Sequence, residues 1–179
     1  MKRSINEISG MVLKAARGAG IPLGHCEDMA LAAGYLAATD PVRLSCVQTA
    51  LRGDHTVASY TQHDGRVAIT AARVAMAGPI AIDALQTECT RVVLHDIDAP
   101  RMMLALCAAR GVCVTHRYDG ADLILTCSDG LPPAMPVPQA VTVSALLWLY
   151  LTDLAAHLYV PASDASRLAG AGAGLNDND

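Results

Sequence analysis

The chain contains no phenylalanine and a single tryptophan, and aromatic residues make up only 3% of its 179 positions. A core without large rings must gather its area from many small aliphatic side chains, and alanine is abundant throughout. Such residues let elements approach closely, which suits helices packed tightly on a sheet. The same shortage removes the stacking platforms on which single-stranded nucleic acid is held. Nor is there a basic excess: 13 Lys and Arg stand against 17 Asp and Glu, for a net charge of −4. With neither a positive stripe nor aromatics, no nucleic-acid partner is expected.

Other absences narrow the reading further. The six cysteines (Cys26, Cys46, Cys89, Cys107, Cys113, Cys127) include no CxxC spacing, so neither a zinc ribbon nor a redox dithiol is indicated. Behind Lys2 and Arg3 no apolar run follows, so no signal peptide is expected. A cytoplasmic location with reduced thiols is the corresponding expectation. Long apolar runs are also scarce. Ala140 to Val160 has the length to span a bilayer, but Asp153 lies within it, with His157 one turn later. A carboxylate near mid-membrane costs roughly 3 kcal/mol, so a buried core helix is expected and no membrane partner.

What is present points to one folded unit. Apolar residues are 53% of the chain and charged residues 17%, which a disordered chain does not show. At this length folding buries roughly 70% of the unfolded surface, and no staple is required. Ser4 with Glu7 forms a capping box ahead of Ile5, Ile8, Met11, Val12, Ala15, Ala16 and Ala19 at helical spacing. Gly20 and Pro22 stop that helix. A second helix is expected from about His25 to Thr39, and a third from Pro41 until Gly53.

His63-Asp64-Gly65 reads as a tight turn and Arg66 to Thr70 as a strand; from there to Gln86 the pattern is ambiguous, with Gly78-Pro79 interrupting it. Arg91 to His95 reads as a buried strand, Pro100 to Arg110 as a helix ended by Gly111, and Val112 to His116 as a strand. The strand–helix–strand spacing predicts that the two strands are adjacent and parallel. Asp119-Gly120 then turns the chain into Asp122 to Thr126. Leu131 to Pro138 reads as a surface loop. The expected fold class is α/β (or α+β): a single domain over residues 1–179, with a small mixed sheet, a βαβ unit plus hairpin, and flanking helices that include an N-terminal helical segment.

Several constellations could carry chemistry. His95 and Asp96, with Asp98, stand where a strand ends and a helix begins, the usual place for sites in open α/β sheets. They could move a proton or bind a divalent cation. The plainer alternative is that Asp98 or a neighbour caps the following helix and His95 is a core-edge residue. Cys113 and His116 resemble paired zinc ligands, yet residues so spaced in a strand point to opposite faces. Asp153 and His157 can meet on one side of a helix, either as a catalytic pair or as an ordinary polar stripe.

The fourth candidate is the glycine-rich C-terminal tail, residues 163–179. Its ligand-binding candidates are Ser163, Asp164, Ser166, Arg167, Gly170, Gly172 and Gly174. The glycines run GxGxG after no predicted strand, so the dinucleotide fingerprint fails on context. Bare glycines could let the backbone lie close against a ligand, with free N–H groups for an anion beside Arg167. Asp177 and Asp179 could instead bind a hard cation, and a frayed terminus is the alternative to both.

Two segments carry a resemblance. Lys14-Ala15-Ala16-Arg17-Gly18-Ala19-Gly20, together with Tyr159-Val160-Pro161-Ala162-Ser163-Asp164-Ala165-Ser166-Arg167 and the following Gly170 to Asp179, resembles an uncharacterised bacterial family of domains of unknown function. That family has an aromatic at the position of Leu23 and apolar residues at those of His25 and Cys26, so this corner departs from it. The resemblance implies only that the tail motif, through Ser163, Asp164, Ser166, Arg167 and the glycines, is more than a frayed terminus, and it brings no activity, cofactor or catalytic residue. The tail is expected to be ordered and packed on the domain.

Three function classes follow. In the first, a small-molecule-binding or catalytic domain gathers Arg167, the glycines, His95 and Asp96. In the second, an accessory subunit presents its helices or tail to a larger enzyme. In the third and weakest, a divalent-metal-dependent enzyme uses His95, Asp96 and the terminal carboxylates. The partner is accordingly a small molecule or a protein, a homo-oligomer is compatible with the composition, and no cofactor is indicated.

Overall fold

The computed structural model describes residues 1–53, 55–87, 89–130 and 140–158. A short strand β1 (Lys2–Arg3) leads into helix α1 (Ile5–Gly18). The capping box is formed: Ser4 Oγ accepts the Glu7 N–H at 3.2 Å, and Glu7 Oε2 accepts the Ser4 N–H at 2.8 Å. Ile5, Ile8, Val12, Ala15 and Ala16 make its buried face. Helix α2 (Leu23–Thr39) packs on α1 and is buried over much of its surface, through Cys26, Met29, Ala32, Ala33, Leu36 and Ala37 among others. Small residues allow the closeness: a Cβ on Gly34 would fall on Ser9 Oγ of α1. The third helical segment divides into a 3-10 turn (Pro41–Ser45) and α3 (Cys46–Ala50).

Strands β2 (Ser59–His63) and β3 (Arg66–Thr70) form a hairpin in antiparallel register. Its two turn residues both have positive φ, 47° at Asp64 and 67° at Gly65, the type I′ geometry that Asp-Gly favours. Helix α4 (Val74–Gln86) then crosses to β4 (Arg91–Leu94), which pairs parallel with β3. Helix α5 (Pro100–Ala109) leads to β5 (Val114–Asp119), and a turn at Gly120-Ala121 returns the chain as β6 (Asp122–Cys127). The turn residues are thus one position later than Asp119-Gly120. Gly120 takes φ 61° at the first central position, where a type II′ turn needs glycine. Strand β7 (Val141–Thr142) pairs antiparallel with β1, and α6 (Ala145–Ala156) follows.

The result is an α+β fold with a five-stranded mixed sheet, order β2-β3-β4-β6-β5, and a two-stranded β1–β7 ladder. The expected mixed sheet and hairpin are present, and so is a βαβ unit, though at a different place from the one expected. The strand neighbours are not as expected: β4 and β5 run in the same direction, but β6 lies between them. The cause is polarity. Leu123, Ile124 and Leu125 are all buried, so β6 fits an interior position, whereas β5 is exposed over Thr115 to Asp119 and fits an edge. The parallel βαβ unit is β3–α4–β4 instead, across the stretch whose pattern was ambiguous.

Helix α4 was hard to read because it is apolar nearly all round and holds Pro79. Proline has no N–H, so the carbonyl of Ala75, four residues back, loses its helical partner. His25 Nδ1 donates to that carbonyl at 3.0 Å. One side chain of α2 thereby fills the gap in α4.

Inner-face residues Val67, Ile69, Val92, Leu94, Leu123 and Leu125 join the buried residues of the helices in one continuous core. The register sets the second face of the sheet: Arg66, Ala68 and Thr70 on β3, Arg91 and Val93 on β4, and Asp122, Ile124 and Thr126 on β6. Arg66, Thr70 and Thr126 are exposed on it, Ala68, Arg91, Val93 and Asp122 are half-buried, and Ile124 is buried. Among the described residues no helix is long and apolar enough to cross a membrane. Of the helix expected over Ala140 to Val160, α6 forms at Ala145–Ala156; it buries Leu147, Leu151 and Ala155 but exposes Leu146, Leu149 and Asp153, so it is a surface helix and not a buried one.

Candidate functional site at the carboxyl ends of β3 and β4

The parallel pair β3–β4 brings two strand ends and the starts of α4 and α5 to one end of the sheet. The ladder continues past both strands. His95 N–H donates to Ile69 O at 2.9 Å, and Ala72 N–H donates to His95 O at 2.9 Å. One residue, Ala71, is extra in β3 and takes φ 48°, so Thr70 stands opposite His95 across a bulge. Alternation along β4 puts the His95 side chain on the exposed face, beside Thr70. Thr70 Oγ1 is itself 2.8 Å from Ser59 Oγ on β2.

His95 is held by a residue from the hairpin. Its Nδ1 lies 2.7 Å from Asp122 Oδ2, and the other oxygen, Asp122 Oδ1, accepts the Asp96 N–H at 3.1 Å. Asp96 can present that N–H because it adopts the left-handed conformation at φ 51°, one that aspartate tolerates better than most residues. The Asp96 N–H, and after it the His95 imidazole, hold the Asp122 carboxyl below the ordinary aspartate range. In the neutral ring, Nδ1 donating to a carboxylate leaves Nε2 as the acceptor, and Nε2 has no partner among the described residues. The side chain is 41% exposed, so a ligand can reach it.

Asp98 plays a different part from its neighbours. It does not cap the helix that follows it, α5, which starts behind Ala99 with no side-chain cap. Its Oδ1 instead accepts the Val74 N–H at 2.9 Å, capping α4, and its N–H donates to Ala72 O at 3.3 Å. Burial pushes its carboxyl above the ordinary value, opposed by the Val74 N–H and by Arg73, whose Nη1 is 3.8 Å from Oδ2. Of the three polar residues that the sequence placed here, His95 meets Asp122 through its side chain, Asp96 through its backbone N–H, and Asp98 caps α4.

Asp122, Thr70 and Ser59 were missed. Asp122 is a lone carboxylate at the head of an apolar strand, and that was its only mark; its partner depends on register, which the sequence does not display.

The other candidates come apart. Cys113 precedes β5 and its Sγ donates to Gly130 O at 3.0 Å, while His116 packs edge-on against Tyr118 at 5.8 Å. Asp153 and His157 are both exposed, and no hydrogen bond or ion pair joins them. All six thiols are free. Burial pushes Cys46 to about 11 and Cys107 to about 12, so neither supplies thiolate at neutral pH. Among the described residues no group of three or more His, Cys, Asp and Glu is arranged to hold a metal ion. Ser163, Asp164, Ser166, Arg167, Gly170, Gly172 and Gly174 lie outside the described residues, as does the loop expected at Leu131 to Pro138.

Comparison with known proteins adds one match. A family model described as "Protein of unknown function (DUF3726)" matches residues 3–45. No curated protein and no solved structure matches the chain. The matched segment covers α1, α2 and the 3-10 turn. It includes His25, but the strand ends that carry His95 and Asp122 lie beyond it.

Proposed function

We propose that the protein binds a small polar molecule at the carboxyl ends of β3 and β4 and exchanges a proton with it through His95. The observation that supports this reading is the chain of contacts from Asp96 N–H to Asp122 to His95 Nδ1. A carboxylate fixed in this way selects one imidazole tautomer and aims the remaining nitrogen, the arrangement of a general acid–base group. The Thr70 and Ser59 hydroxyls on the same face supply hydrogen bonds that can orient the bound molecule. The location agrees with where ligands bind in open α/β sheets, and the free thiols suit a reducing, cytoplasmic compartment.

The test is a screen of small polar fragments by 1H–15N NMR, paired with the imidazole 15N shifts of His95. Hits that move the amides of Thr70, His95 and Asp96 together, and that weaken in Asp122→Asn and His95→Gln, are the expected result. Hits that map elsewhere, or a His95 with its proton on Nε2, would overturn the proposal.

A further inference from the structure

At the other end of the same exposed face, Arg66 and Arg91 begin β3 and β4 and stand directly opposite each other in the parallel register. Like charges so opposed destabilise a strand pair unless something neutralises them. Arg3, Arg43, Arg73, Arg110 and Arg117 each have a carboxylate within ion-pair distance. Among the described residues Arg66 and Arg91 have none, as is also true of Arg17, Arg52 and Arg101, but only Arg66 and Arg91 face each other across a strand pair. Arg91 Nε is buried and has no hydrogen-bond partner among the described residues. Buried donors are almost always satisfied, so an orphan of this kind asks for an acceptor.

The space for one is present. The two arginines line a concavity of about 490 Å³ together with Ala68 and Val93, which lie next along the same two strands on the same face. Asp64 also borders it, but its Oδ2 is 2.9 Å from His63 Nδ1, its neighbour in the hairpin. Guanidinium groups are suited to bidentate contact with planar or tetrahedral oxyanions.

We infer that this concavity binds the oxyanion group, carboxylate or phosphate, of a small molecule whose apolar part lies on Ala68 and Val93. The inference goes beyond the role given to His95, which is ~13 Å away along the strands at ~3.3 Å per residue. Either can fail alone.

Inorganic phosphate and benzoate, each compared with chloride at equal ionic strength, are the probes for the full chain. The arginine Nε–H signals are followed by 1H–15N NMR. The Arg91 signal is expected to move saturably with phosphate or benzoate and not with chloride. Arg66→Gln and Arg91→Gln should each weaken binding at least tenfold, while Arg101→Gln, an exposed arginine on α5, leaves it unchanged. Tighter benzoate identifies a carboxylate with an apolar body; tighter phosphate identifies a phosphorylated ligand. An equal response to chloride, no saturable response, or undiminished affinity in the two variants overturns the inference. Should Arg91→Gln disturb the fold, the exposed Arg66 carries the test alone.

Discussion

Asp98 and Asp96 are two residues apart and show how differently one residue type is used at a strand end. Asp98 is a cap with a cost: its carboxylate satisfies the Val74 N–H, yet burial raises its pKa above that of the unfolded chain. A raised carboxyl favours the folded state only when protonated. Its contribution is complete below the unfolded value and is lost as pH rises through the folded one. At neutral pH the charge is therefore a liability while the hydrogen bond is an asset. Asp98→Asn keeps an acceptor for Val74 and removes the charge, so it should melt at or above the wild type at pH 7 and show a flatter melting profile just above the ordinary carboxylate range. Asp98→Ala removes the acceptor and should cost about 1 kcal/mol. Melting temperatures of the three proteins between pH 4 and 7 decide it, and an Asn variant as poor as Ala would show that the charge itself is needed by Arg73. At Asp96 the backbone decides. Glycine relieves the left-handed strain at φ 51°, so Asp96→Gly should preserve or raise stability while Asp96→Val lowers it by roughly 1–2 kcal/mol.

At the scale of elements, legibility followed locality. The α1 cap, the Asp64-Gly65 hairpin and the start of α5 at Pro100 rest on residues adjacent in sequence, and each could be read there. The place of β6 between β4 and β5 rests on a comparison of two whole strands, and the bond from His95 to Asp122 depends on that placement. Helix α4 was obscured for a related reason: the residue that compensates for Pro79 is His25, fifty positions before the Ala75 carbonyl that it bonds. This compensation makes a quantitative prediction. His25→Ala leaves the Ala75 carbonyl without its partner and should cost about 1 kcal/mol. Pro79→Ala restores a backbone N–H at the position that bonds Ala75, so in that background His25→Ala should cost close to nothing. A double-mutant cycle in denaturant measures the difference. Equal costs in the two backgrounds would mean that His25 contributes by packing alone.

Over the whole molecule, the question is whether the helices matched by the family model and the sheet that carries His95 fold as one unit. The core is continuous across them, and a polar link crosses the same boundary. Arg110, at the end of α5, donates through Nε to Oδ1 of Asp28 on α2 at 2.8 Å, and its Nη2 reaches the same oxygen. Asp28 is buried, while the Arg110 side chain is 44% exposed, so water screens part of the attraction. Arg110→Ala should then cost roughly 1–2 kcal/mol, mostly from the carboxylate left unpaired. The single tryptophan, Trp148, stands on α6 under the Arg3 guanidinium, which lies 4.4 Å from its ring centre, and reports on α6 where it packs with α1. If the chain is one cooperative unit, Trp148 fluorescence and the NMR signals of His95 disappear at the same temperature. Arg110→Ala should lower both by the same amount, on the order of 2–8 °C for a chain of this size. Two separated transitions, or a substitution that shifts Trp148 and leaves His95 in place, would divide the protein into a helical unit and a sheet unit. The His95 site would then belong wholly to the second.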